Sequence, residues 1–120
     1  MSERLRVGDL IESNGRLHVV WAKTYHSYCK VQCRIAPISR LDYGDLVVSA
    51  NGKAIGRDLH AASRALWYQM CHAMKDAQRA RSERTKAIHR DRWKRWERRW
   101  WAVRLIAEKA AKPSLVGGAA

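Results

Sequence analysis

The 120-residue sequence has no phenylalanine, only two prolines and three cysteines. It contains no run of 18 apolar residues, so no transmembrane segment is expected. Acidic residues number 11 against 24 lysines and arginines, a formal net charge of +13. That balance excludes a nucleic-acid mimic, which must itself be acidic. Met1–Arg6 has no apolar stretch, so no secretory signal is expected there. An odd set of cysteines, Cys29, Cys33 and Cys71, then fits free thiols in a reducing compartment, and a cytoplasmic location is expected. The length excludes a large multi-domain enzyme, while 47% hydrophobic residues suffice for a real core.

Glycine and proline are also missing locally. Between Arg57 and Lys112 there is neither, whereas five of the seven glycines fall at or before Gly56. The first half is punctuated like a β-rich unit and the second is unbroken like helix. The expected fold class is therefore α+β. A small antiparallel β-barrel-like unit (1–56) precedes a long basic helical region (57–112), and a mobile tail (113–120) follows Pro113.

In the first half, Asp9–Ser13 and Arg16–Ala22 flank Asn14-Gly15, a type I′ hairpin signal. Cys29–Ile35 alternates, with Cys29, Val31, Cys33 and Ile35 on one face and Lys30, Gln32 and Arg34 on the other; Pro37 closes that strand. Asp45–Ala50 and Lys53–Ile55 around Asn51-Gly52 read as a second hairpin. His18 alternates with Leu17 and Val19 and is expected to face solvent. Val7-Gly8-Asp9-Leu10-Ile11 and Gly44-Asp45-Leu46-Val47 resemble strand entries of SH3-like, KOW-type small barrels. That resemblance implies a module that binds RNA, DNA or protein tails. Residues 44–55 with His60 and Ala65-Leu66 also look like the late strands and second helix of a PDZ domain. There, His60 would read a peptide hydroxyl. The chain departs from that family in having no phenylalanine for a carboxylate loop and no strand after the helix.

In the second half, Asp58 is a plausible N-cap, and Leu59, Ala62, Leu66, Met70, Ala73, Ala77 and Ala80 form one apolar stripe. Trp93, Trp96, Trp100, Val103 and Ala107 form another. At 100° per residue the two stripes differ by about 160°, so one straight helix cannot bury both on one surface. A bend near 82–91 is expected, or else a second copy or partner that covers Trp93, Trp96, Trp100 and Val103. Asp76–Arg84 resembles the arginine-rich RNA-binding helix of lambdoid phage antiterminators.

Arg79, Arg81, Arg84, Lys86, Arg90, Arg92, Lys94, Arg95, Arg98 and Arg99 crowd the same region. Cations neutralise phosphates and interleaved tryptophans can stack on bases, so a nucleic-acid-binding accessory protein (RNA or DNA) is the leading expectation. The alternative is a protein-interaction module, such as a small phage or mobile-element inhibitor, meeting an acidic protein or ribonucleoprotein surface through tryptophan anchors. A membrane-surface helix comes third. No catalytic set stands out, since adjacent Cys71 and His72 diverge by about 100° on a helix. No cofactor is expected and no metal either. Residues four apart on a strand, as Cys29 and Cys33 would be, lie about 13 Å apart, too far to share a zinc ion.

Overall fold

The computed structural model describes residues 4–25 and 31–111; His26, Cys29 and the 113–120 tail lie outside them. The protein is α+β. Five strands, β1 (Asp9–Ser13), β2 (Arg16–Tyr25), β3 (Val31–Pro37), β4 (Leu46–Ser49) and β5 (Gly56–Arg57), precede two helices, α1 (Leu59–Arg79) and α2 (Glu83–Ala111). The strands form one antiparallel sheet in the order β4-β3-β2-β1-β5.

The first hairpin forms as its sequence dictates. Asn14 and Gly15 take positive φ values of 54° and 75°, and Ser13 pairs with Arg16. The second expected hairpin does not form. Neither Asn51 nor Gly52 adopts positive φ, so the I′ turn is absent. Instead β4 pairs with β3 at one edge of the sheet, and β5 pairs with β1 at the other. The six residues 50–55 must therefore join opposite edges, which six residues can do only over about 20 Å, so the sheet has to curl. Leu5 N–H donates to the Ala50 carbonyl, and Arg4 bridges Asn51. The ladder is nevertheless not closed.

Curling gives the sheet two buried faces. Leu5, Ile11, Val20, Cys33, Ile35 and Ala50 fill the concave side. Val19, Trp21, Ala22 and Ala36 meet the helices on the other. That explains why Val19–Ala22 is apolar without alternation: strand β2 is covered on both sides, and a bulge between Val20 and Ala22 adjusts its register. His18 shares the concave side with Val20 and is buried, its Nδ1 2.9 Å from the Arg16 carbonyl. The expectation of a solvent-facing His18 is corrected. Leu17, on the helix side but beyond the helices' cover, is the exposed neighbour.

Asp58 caps α1, its Oδ1 accepting from Ala61 N–H at 2.9 Å. Ala62, Ala65 and Leu66 are fully buried against the sheet; a leucine so buried contributes about 1.5–3 kcal/mol. The helical region breaks at Ala80–Ser82, at the N-terminal margin of the expected window. Ala80 turns extended (φ −64°, ψ 139°), and Ser82 Oγ accepts from Thr85 N–H at 3.1 Å, capping α2. A serine cap thus supplies the stop that no glycine or proline provides. The Asp76–Arg84 stretch, read from sequence as one arginine-rich helix, is split by this turn.

Candidate nucleic-acid interface

The turn sends α2 back along α1 as an antiparallel helical hairpin, giving the described molecule a long dimension of 59 Å. Near the sheet, Trp96, Trp100 and Val103 join the core formed by Trp21, Ala62 and Leu66. The stripe, expected either to fold back through a bend or to meet a second copy or partner, packs in part against α1 and β2 of its own chain. Trp93 is half-buried on the same helix. Away from the sheet, Ala73 and Ala77 are buried although they belong to neither sheet cluster, and α2 is their cover. Small residues there let the helices approach closely. Arg92 ties the two together, donating to the Asp76 carboxylate at 2.6 Å.

Between Lys75 and Arg99 the hairpin carries eleven cationic and four acidic residues. Among the ten cations singled out above, Arg79 ends α1, Arg81 lies in the turn, and the other eight are on α2. Arg79, Arg81, Arg84, Arg90, Lys94, Arg95, Arg98 and Arg99 are exposed. Two are engaged: Arg92 with Asp76, and half-buried Lys86 with Glu83 at 3.5 Å. The hydrogen bond from Arg92, ahead of its charge and those of His89 and Arg79, holds the Asp76 carboxyl below its ordinary range. Arg92 thus also serves as a strut between the two helices.

Where the hairpin meets the sheet, strand β3 adds a cation that sequence reasoning left out of the site. Arg34 lies on the helix-facing side, opposite Cys33 and Ile35. Its guanidinium is 5.8 Å from the Trp21 ring centroid and 5.5 Å from that of Trp96. Arg99 lies over Trp96 at 5.2 Å and donates to the Lys23 carbonyl at 3.3 Å. Burial, then the neighbouring charges of Arg34 and Arg95, push the Arg99 pKa down from its ordinary value. The signal in the sequence was the alternation itself, which placed Arg34 on the face away from Cys33.

A second aromatic–cation cluster begins one turn further along α2, where Trp100 meets α1. Trp67 and Trp100 are 5.3 Å apart, and Trp100 and Trp101 4.8 Å. Arg104 covers Trp100 at 5.0 Å and pairs with Glu108. Trp67, Trp100 and Arg104, with His60, Arg64 and Tyr68, line a groove of ≈ 380 Å³. Trp67 and Trp101 are about half exposed.

Elsewhere the chemistry is sparse. Among the described residues, no three of His, Cys, Asp and Glu come together as a metal site. No described helix is long and apolar enough to cross a membrane. Comparison with protein-family models, with curated proteins and with solved structures finds no match to this chain.

Proposed function

We propose that the protein binds RNA or DNA without catalysing a reaction on it, using the helical hairpin as a cationic arm. The observation that carries this reading is the disposition of charge. The hairpin buries alanines between its helices, and eight of its ten singled-out cations are exposed, away from that seam. Only Arg92 and Lys86 of those ten form ion pairs among the described residues. A net charge of +7 between Lys75 and Arg99 concentrates the attraction on one element. Such a field recruits phosphates and releases their counterions, a term insensitive to sequence.

The exposed Trp67 and Trp101, beside Arg64 and Arg104, supply flat surfaces on which unpaired bases can stack. Single-stranded or unpaired regions are therefore the favoured ligand. The test is a salt series on oligonucleotide binding. If six phosphates are neutralised, log K against log salt slopes at about −5 for duplex or −4 for single strands. No binding to either at low salt overturns the proposal. The exposed Trp101, Leu105 and Ile106 favour a second reading, a docked protein partner; salt-independent capture of that partner, with no retention of oligonucleotide, would select it.

A further inference from the structure

We propose that Arg34, Arg95 and Arg99 form a phosphate-binding site beside the Trp96 ring, at the junction of the hairpin and the sheet. The inference deepens the nucleic-acid reading, on which it rests for the source of the phosphate, a phosphodiester of the strand.

Three observations converge. First, the cluster is uncompensated. None of the three arginines forms an ion pair among the described residues, where the ion pairs are Arg40–Asp42, Lys86–Glu83, Arg92–Asp76 and Arg104–Glu108. Strand register puts Thr24, Gln32 and Val47 on the same side of the sheet as Arg34, and all three are uncharged. Asp91, one turn before Arg95, makes no ion pair with it. Gathering the guanidiniums of exposed Arg95 and Arg99 beside half-buried Arg34 raises their mutual repulsion, and an anion offsets it.

Second, two of the guanidiniums, those of Arg34 and Arg99, lie over indole rings, while Arg95 sits one turn before Arg99 on α2. Arg34 lies within 6 Å of both Trp21 and Trp96, and Arg99 within 6 Å of Trp96. An arginine held over a ring by cation–π attraction still has the N–H groups of its guanidinium edge available to an acceptor. Those groups match two oxygens of a phosphate as a fork. Contact with the rings also restrains these side chains and lowers the entropy that binding would otherwise cost.

Third, Arg34 Nε is buried and has no hydrogen-bond partner among the described residues. A donor in that position is costly unless an acceptor reaches it. The Arg99 bond to the Lys23 carbonyl is long, at 3.3 Å, and uses only one of its five N–H groups.

The experiment is a titration of the full chain with inorganic phosphate and, separately, with a short single-stranded oligonucleotide, followed by NMR of arginine Nε–H and tryptophan indole N–H groups. The expected result is a saturable shift at Arg34, Arg99 and Trp96 with both ligands, and displacement of the oligonucleotide by phosphate. Arg34→Gln and Arg99→Gln should each weaken oligonucleotide binding roughly tenfold or more. Their combination should flatten the salt slope by about 0.7, one single-strand phosphate. Arg34→Lys, which keeps the charge without the fork, should recover the slope but not the affinity. If phosphate shifts these groups while the oligonucleotide never binds, the nucleic-acid reading fails and the site stands as one for free phosphate. If the oligonucleotide binds while these groups stay unshifted, the site is wrong and the arm reading survives. Should the Arg34 variants fail to fold, the titration of the unaltered chain decides by itself.

Discussion

Trp21 of β2 and Trp96 of α2 meet edge to face, with ring centroids 5.1 Å apart and planes inclined by 69°. This contact locks the second helix onto the sheet and places Arg99 and Arg34 around one indole. Aromatic pairs in this geometry contribute about 0.5–1.5 kcal/mol beyond their burial. Trp96→Ala should therefore lower unfolding stability by about 3 kcal/mol. Trp101→Ala, on a half-exposed ring, should cost less than about 1 kcal/mol. Chemical denaturation of the two variants checks the difference; equal losses would mean that Trp96 is not the anchor of α2.

Asp76 and Arg92 link the two helices, and the depressed carboxyl pKa makes that link pH-dependent. A carboxylate stabilised in the folded state contributes above its unfolded value, 3.8, and the contribution disappears as the pH falls below that through the folded value. Both side chains are partly exposed, 44% and 32%, so the expected size is only about 0.5–1 kcal/mol. Asp76→Asn should remove that part of the acid dependence and leave stability above pH 5 lower by the same amount. Unfolding midpoints measured from pH 3 to 6 decide it, and an unchanged acid profile in the variant would show the pair to be inert.

Gly8 occupies a position that only glycine fits. Its φ is +96°, and an added Cβ would lie 2.7 Å from Leu59 Cδ2 and 3.1 Å from Leu59 Cγ. Its N–H and carbonyl are both engaged, with the Val20 carbonyl and the Asp58 N–H, so the backbone cannot rotate away. Gly8→Ala should destabilise by about 1–3 kcal/mol from backbone strain and crowding. Gly15→Ala is the control, because it shares positive φ but has nothing within 4 Å. The thermal midpoint of the Gly8 variant should be the lower of the two.

Cys33 is fully buried between the strands, and desolvation pushes its thiol pKa up. A maleimide reagent should modify the half-buried Cys71 in the native state and reach Cys33 only on unfolding. Mass mapping of the modified peptides reads this directly. Cys33→Ala should cost about 1–3 kcal/mol as loss of core packing. Native-state labelling of Cys33 would contradict its place in the concave core.

Much of this molecule is written in short stretches of its sequence. Asn14-Gly15 can supply the two positive φ values that a tight hairpin needs, and Asp58 can satisfy the free N–H groups at the start of α1. The alternation of Val31, Cys33 and Ile35 against Gln32 and Arg34 assigns two faces to β3, and the alanine-rich stripe of α1 shows which side is buried. These features depend on periodicity and turn chemistry, both local. The partners of those faces are not local. Asn51-Gly52 has the same grammar as Asn14-Gly15, yet Gly56–Arg57 pairs across the sheet with β1, because curling buries Leu5, Ala50 and Ile35 together. The roughly 160° between the two helical stripes required a break or a partner, but nothing in the periodicity chose between them. The core chose, because folding α2 back at Ser82 covers Trp96 and Val103 within the chain. By the same step it brought Arg99 against Arg34 of the sheet, a juxtaposition that no sequence spacing encodes.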